Sequence, residues 1–502
     1  MPPGISPQDF FYLLPELVLT AGALLLLGVD LVTPRNRQGV LAWVSLGILA
    51  ATALAVAPIA TANVTVSRGL VAVDGFGLFF KVVFLLSAAV TILMSAPYLQ
   101  VEGARAGEYY FLILCATLGM MFMAGGIDLI TIFIGLETMA VSFYILTGYI
   151  KPDRRSNEAA VKYFLLGAFS LGILLYGMSL LYGLTGSTHL RTIATELATG
   201  GGGPTLVLAV ILLVAGVGFK IAAVPFHMWA PDVYEGAPTP VTAFLSVGSK
   251  AASFAMLLRI FLEGLPAFAS SGLGVMFGAP LGWTTFFYIL AVITMTVGNL
   301  AALTQSNMKR LLAYSSIAHA GYLLIGIVAA TPRGVVATLI YLFVYAFMQL
   351  GAFAIVVMLH RQDQIGDELK DLSGLYLRRP GVAFAMLVFM LSLGGIPPTA
   401  GFMGKFWLFG AAIEAGYVWL AVIGVLNSAI SLYYYVRVVV FMWIKEDAVG
   451  SAITLAPGIA VALAIAVAGT ILLGIYPAPL FTFAEESAAA LGRASAAFVS
   501  FR

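Results

Sequence analysis

An all-α polytopic membrane protein, with about fourteen transmembrane helices and two inverted five-helix repeats that each contain a broken helix, is what this sequence predicts. Three observations carry that expectation. The first is composition. Of 502 residues, 61% are hydrophobic and 10% charged, with a mean hydropathy of +1.03, whereas a soluble domain carries about 25% charged residues. Too few charges remain to cover a water-facing surface. The second is a series of fourteen apolar segments, most of them close to the ~20 residues that a helix needs to cross the hydrocarbon core. The third is a pair of proline interruptions at corresponding places in two groups of segments.

Taken in order, the segments are 10–31, 39–60, 75–96, 108–125, 127–150, 157–184, 205–228, 239–262, 282–304, 310–330, 334–360, 381–412, 416–444 and 453–475. The fourth and fifth are separated only by "GG" and form a tight hairpin. The stretch after 476, with Glu485 and Glu486, reads as a short interfacial helix. No segment reads as a soluble domain, and "TGGGGP" at 199–204 is the one low-complexity stretch. The beginning, "MPPGISPQDF", lacks a basic run and does not read as a cleaved signal peptide.

Composition also excludes several chemistries. A net charge of +2 is no argument for nucleic acid. The single cysteine, Cys115, excludes a disulfide within the chain and a cysteine-held cluster. His189, His227, His319 and His360 lie far apart, without metal-site spacing, and neither a GxGxxG nor a GxxxxGK[ST] sequence occurs.

The basic residues set the orientation. Of 25 Lys and Arg, thirteen fall in connections after odd-numbered segments: Arg35, Arg37, Arg105, Lys151, Arg154, Arg155, Lys309, Arg310, Arg361, Lys370, Arg378, Arg379 and Lys445. Five fall on the other side: Arg68, Arg191, Arg333, Arg493 and Arg502. Positive charge stays cytoplasmic, so both termini are expected on the outer side.

The remaining seven lie within segments: Lys81, Lys162, Lys220, Lys250, Arg259, Lys405 and Arg437. A cation near the bilayer centre costs roughly 2.5–3.5 kcal/mol on insertion scales. Arg259, Arg437 and Lys81 stand within about two turns of a segment end, where snorkelling to the headgroups or structural pairing explains them. Lys220, Lys250 and Lys405 are deeper, as is Glu137 in "IFIGLETMAVSFY", a natural counter-ion for one of them. A buried ion pair that only fixes helix packing is the plain alternative. Three lysines against one carboxylate leave an excess of cations, and burial disfavours the charged amine, turning it into a group that takes up and releases a proton. These four are therefore read as a proton relay. Glu158 and Lys162, at i and i+4 in "NEAAVKYF", are suited equally to surface pairing and to that relay. His319, beside Ser315, Ser316 and Tyr322, is read as a shuttle, and His227 as a shuttle or a support for broken backbone.

Proline inside a helix frees backbone groups, and in lipid those groups must be met by protein or by water in a cavity. The seventh segment carries Pro225 after Lys220; the twelfth carries Gly394, Gly395, Pro397 and Pro398 before Lys405. With segments 4–8 and 9–13 as two five-helix units, the broken helix is the fourth member of each, the pattern of repeats around a transport path. The division expected is 1–107 as an N-terminal three-span segment, 108–262 and 263–444 as the repeats, and 445–502 as a last span and tail. An odd helix number makes the repeats run in opposite senses.

Three stretches carry a family resemblance: "FKIAAVPFHMWAPDVYEGAPTPVTAFLSVGSKAASFAMLLR" (219–259), "NMKRLLAYSSIAHAGYLLIG" (307–326) and "LSLGGIPPTAGFMGKFWLF" (391–409). They resemble the antiporter-like subunits of respiratory complex I, the proton-pumping NADH:quinone oxidoreductase, over nearly the whole chain. The sister branches L and M are similar as far as Pro-Thr-Pro but usually lack the lysine of "SVGSK", so Lys250 favours the N branch, which is similar to mitochondrial subunit 2. The resemblance implies an ion pair of Glu137 and Lys220, a connecting role for Lys250, an exit-side role for Lys405 and a place for Lys162 on a polar axis. It implies a translocase subunit without a redox centre of its own, with FMN, iron–sulfur clusters and the quinone site in partner subunits. It implies subunits M and K as membrane-arm neighbours, a bacterial cytoplasmic membrane location, lipid around the chain and no nucleic acid. The rival readings are a subunit of an Mrp-type cation/proton antiporter or of a related membrane-bound hydrogenase complex and, from another class, a small-solute carrier working alone.

Overall fold

The computed structural model describes residues 6–200, 203–276, 279–360, 366–444 and 454–494. Thirteen helices among them are long and apolar enough to cross a membrane. We number these with the split twelfth: α1 Leu14–Val32, α2 Gly39–Ile59, α3 Gly75–Glu102, α4 Gly107–Gly125, α5 Leu129–Thr147, α6 Arg154–Thr185, α7a Gly203–Lys220, α8 Thr239–Gly264, α9 Trp283–Ala302, α10 Met308–Ala329, α11 Pro332–Leu359, α13 Val418–Trp443 and α14 Pro457–Ile475. The second half of span seven is α7b, Trp229–Gly236. Span twelve is α12a, Pro380–Gly394, followed by α12b, Ala400–Glu414. Each of the fourteen predicted segments thus has its helix, within a few residues at most ends.

Local chemistry sets many of the helix starts. Asp74, Asp128, Asp153, Asn307 and Thr331 precede α3, α5, α6, α10 and α11, and each side chain accepts from a backbone N–H of the first turn. Gly103 and Gly186, at φ of +62° and +67°, close α3 and α6 in the left-handed region. Hydroxyls inside the spans bond their own helix: Ser45, Thr52, Ser87 and Thr117 each donate to the carbonyl four residues back. The α4–α5 hairpin packs backbone to backbone at Gly119 and Gly135, where an added Cβ on either would lie under 3 Å from the other's carbonyl oxygen.

The core runs through α8, α10, α11 and α3, the most deeply buried spans, while α1, α6 and α14 lie at the periphery. Between the spans, two short antiparallel hairpins (Val64–Val66 with Val71–Val73, and Val275–Met276 with Ala279–Pro280) and the helix Leu190–Gly200 all belong to connections on one predicted face. The helix expected after 476 is Ala478–Ala494; it packs on α3 and α11.

Candidate functional site

In the seventh span the helix stops at Lys220, before Pro225. The peptide bond to Pro225 is cis, and Ala222 sits at φ +58°. Turn bonds from the N–H groups of Ile221, Ala222 and Ala223 take up the carbonyls of Val217, Phe219 and Gly218. The Trp229 indole donates to Phe219 O at 3.0 Å, tying α7b back onto α7a, and Val224 N–H donates to Thr294 Oγ1 of α9 at 3.0 Å. His227 stands in the break with a buried Nδ1 that has no partner, and Pro225 and Met228 are exposed.

Lys220 is buried, yet its ammonium makes one weak hydrogen bond, 3.5 Å to the Tyr144 hydroxyl, with the Tyr144 and Phe219 ring centroids at 5.7 and 5.9 Å. Tyr144 lies two turns beyond Glu137 on α5. Glu137 is close enough to Lys220 for their charges to interact, but no ion pair within 4 Å joins them, and Glu137 Oε1 is buried without a hydrogen bond. The expected Glu–Lys contact is thus a gap between two under-satisfied groups.

Lys250 opens a helical stretch between two π-helical turns of α8, Leu245–Ser249 and Arg259–Gly264; such turns occur frequently at functional sites. Its ammonium donates to the carbonyl and, at 2.6 Å, to the hydroxyl of Ser316 on α10. One residue away a second polar chain begins. Ser315 Oγ lies 2.5 Å from Tyr435 Oη, which lies 3.0 Å from His319 Nε2; His319 Nδ1 meets Tyr341 Oη at 2.5 Å. His319 is within electrostatic range of both Lys250 and Lys405.

Lys405, on α12b, reaches back across its own break. It donates to Leu393 O and Gly394 O at 3.0 Å each and to Ser428 Oγ at 2.8 Å, and stands 4.8 Å from the Tyr322 ring centroid. The carbonyls freed at the end of α12a are therefore held by the lysine. Gly395 turns the chain at φ +82°, and Pro397 and Pro398 follow, exposed, with a cis bond between them. Fully buried Asn299 of α9 supports Tyr322. Its amide donates to Tyr322 Oη at 3.0 Å and to its own helix at Met295 O, and its oxygen accepts from Tyr434 Oη at 2.9 Å.

Sequence reasoning missed Tyr144, Asn299, Tyr341, Tyr434 and Tyr435. A tyrosine or asparagine among apolar neighbours gives no sign of which face it will share; only the "YYY" run at 433–435 could have drawn attention. Of the two explanations offered for Lys81 and Arg259, snorkelling or structural pairing, the structure shows pairing. Lys81 pairs with Glu16 of α1 at 2.7 Å, both buried. Arg259 is fully buried, bonded to both Asp74 oxygens at 2.8 Å, to Glu263 and to Ala124 O at 3.1 Å. Arg437 reaches the carbonyls of Leu303 and Gln305 at the α9–α10 turn. Lys309, counted as a loop cation, is buried and donates to Glu235 O and Ala237 O, at the C-terminal end of α7b. Arg361, Lys445, Arg502 and the side chain of Arg493 lie outside the described residues.

Lys162 meets Glu158 at 2.8 Å, as the spacing predicts, and also Asp232 of α7b at 2.7 Å. Arg310 of α10 holds Asp232 and Glu235 at 2.9 and 2.8 Å. These pairs latch α7b to α6 and α10 around a surface cavity of ≈ 270 Å³. With its side chain 41% exposed, Lys162 lies at a surface, apart from the three buried lysines.

Residues 126–431 match the protein family described as NADH:quinone oxidoreductase/Mrp antiporter, transmembrane. The chain is 48% identical over 480 residues to NADH-quinone oxidoreductase subunit N of Trichlorobacter lovleyi, covering 95% of this chain and 96% of that one. It is 45% identical to subunit N 2 of Rhizobium meliloti, covering 94% and 96%. A chain of respiratory complex I from Thermus thermophilus with bound aureothin is similar at a TM-score of 0.77 and 34% identity, over 93% of this chain and 98% of that one. A chain of the Mrp complex from a Dietzia species superposes at 0.80 with 22% identity, over 98% and 100%, a likeness of fold.

Proposed function

This chain belongs to the subunit N family of NADH-quinone oxidoreductase, the antiporter-like membrane-arm subunits of complex I, and from that premise we propose that it moves protons along Glu137, Lys220, Lys250, His319 and Lys405, driven by quinone reduction in partner subunits. One observation carries the residue assignment. Among the described residues, the buried cations Lys81 and Arg259 each have a carboxylate within 4 Å; Lys220, Lys250 and Lys405 have none, and Lys309, which also has none, sits at the start of α10, where it holds the carbonyls that end α7b. A buried cation without a carboxylate partner is costly, and the three such lysines deep within the spans are suited to changing charge.

A carboxylate brought toward Lys220 favours the ammonium, and its withdrawal lets burial drive the proton off. The Glu137–Lys220 gap is an element that a distant electrostatic change can close or open. Lys250 hands on through Ser316, His319 shuttles through the tyrosine hydroxyls, and Lys405 releases outward; internal water bridges the intervals. Lys162 and Glu158 stand at the cytoplasmic mouth, and His227 steadies or serves the first break, as Pro225, Gly394, Pro397 and Pro398 keep the helices interrupted. The units 108–262 and 263–444 act as inverted halves, flanked by 1–107 and 445–502. FMN, iron–sulfur clusters and quinone are assigned to partner subunits, with M and K as neighbours. The setting is a bacterial cytoplasmic membrane, with both termini outward. Irregular backbone at membrane depth needs protein or water over it, and the exposed prolines at both breaks agree with partner coverage.

Replacing Glu137 or Lys220 with Ala is expected to cut quinone-coupled proton pumping while the complex still assembles. Full pumping by the Lys220→Ala complex would sink the assignment. Purification with flavin- and iron–sulfur-bearing subunits separates this reading from an Mrp-type antiporter, and transport by the isolated chain would favour a lone carrier.

A further inference from the structure

A second group of buried charges lies away from the lysine row, at the end of α8 on the face that the charge bias reads as outward. Glu263 is fully buried in the π-helical turn Arg259–Gly264. One of its oxygens is held by Arg259, which also grips Asp74; the other, Oε2, is buried and has no hydrogen bond. Facing Oε2 at 3.9 Å is Nε of Arg191, itself without a partner. The Arg191 side chain is 42% exposed and lines a surface cavity of ≈ 320 Å³ with Asn63, Thr65 and Asp74.

Two features set this cluster apart from a packing device. At 3.9 Å the contact is too long for a hydrogen bond, and an unsatisfied buried carboxylate oxygen is costly. Both unfilled atoms face each other beneath an opening to the surface. The charges, two carboxylates and two guanidinium groups, balance only while Glu263 is ionised. A proton on Glu263 removes the attraction that holds Arg191, an exposed side chain free to turn into the cavity. Water then reaches Glu263, the proton leaves, and the restored carboxylate draws Arg191 back. Arg259, fixed by Asp74 and Ala124 O, keeps Glu263 in place throughout.

We propose that Glu263, held by Arg259 and covered by Arg191, is a proton-release site on the outer face, fed along α8 from Lys250 by internal water and separate from the exit at Lys405. The buried hydroxyl of Ser253 lies on that helix between them. The inference rests on the proton-translocating reading given above.

The test uses the assembled complex in sealed vesicles and reads protons moved per quinone reduced for Glu263→Gln, Arg191→Gln and, in parallel, Lys220→Ala. Glu263→Gln and Arg191→Gln are each expected to lower that ratio as much as Lys220→Ala does, with assembly retained. Should Glu263→Gln fail to assemble, Arg191→Gln decides, because it leaves the Arg259–Asp74–Glu263 contacts intact. A parental ratio in Arg191→Gln, or in an assembled Glu263→Gln, overturns the release site. If the ratio falls in Lys220→Ala alone, only this site is lost; full pumping in all three removes the underlying reading as well.

Discussion

At the α7 break the chain meets its own loose backbone groups, through the turn after Lys220, the Trp229 indole and Thr294. At the α12 break the lysine meets them: Lys405 holds the carbonyls of Leu393 and Gly394. The two breaks set the lysine on opposite sides and divide the labour differently. Lys220 precedes its break and is left with one long contact to a tyrosine; Lys405 follows its break and has three good ones. A lysine held by three acceptors is part of the scaffold as well as of the proposed path. A lysine held by one is free to answer a carboxylate that moves. The free halves do resemble each other at their far ends. Asp232 and Glu235 latch α7b to Arg310, and Glu414 latches α12b to Arg333.

The largest effect should come from Lys405→Met. It removes pumping and strands two carbonyls, and charge-assisted bonds are worth about 1.5–3 kcal/mol each. The purified complex should therefore unfold several degrees lower, whereas Lys220→Met should leave its thermal transition near the parental value. Equal transitions would erase the distinction between the breaks. Next, Trp229→Phe removes the bond that closes the first break at a cost of about 1 kcal/mol; a thermal shift smaller than that of Lys405→Met, with slowed pumping, sharpens the comparison.

Tyr144→Phe takes away the one hydroxyl near Lys220 without opening a cavity. Pumping should fall several-fold with an unchanged melting profile, and a parental rate would show that this contact is idle. The smallest effect belongs to Asp232→Asn, which loosens a half-exposed latch of the kind worth about 0–1 kcal/mol. Its slight loss of stability should shrink as salt rises, because exposed pairs are screened; a salt-independent loss would mean that the latch acts through packing.

How far the sequence could be read depended on which contacts were local. The fourteen spans follow from apolar run length, and the breaks from Pro and Gly within those runs, so both were legible. The Glu158–Lys162 pair was legible too, being fixed by one helical turn. Arg259 was not: its depth within a span said nothing of Asp74, 185 positions away. The role of Pro225 also reads differently, since the helix already ends at Lys220 and the lysine turns to Tyr144 instead of to the freed carbonyls.

By itself, then, the sequence determined that this chain spans a membrane many times, that two spans are interrupted, and that three lysines and a glutamate lie beyond easy reach of either membrane surface. These follow from hydropathy, proline stereochemistry and helical rise, which need only neighbouring residues. Which lysines have partners was decided by the tertiary structure alone. It set Lys81 against Glu16 and Arg259 against Asp74, and left Lys220, Lys250 and Lys405 to hydroxyls, carbonyls and rings. Whether a buried charge is matched depends on atoms a few ångströms away on other helices, and helix packing, not chain order, determines which atoms those are.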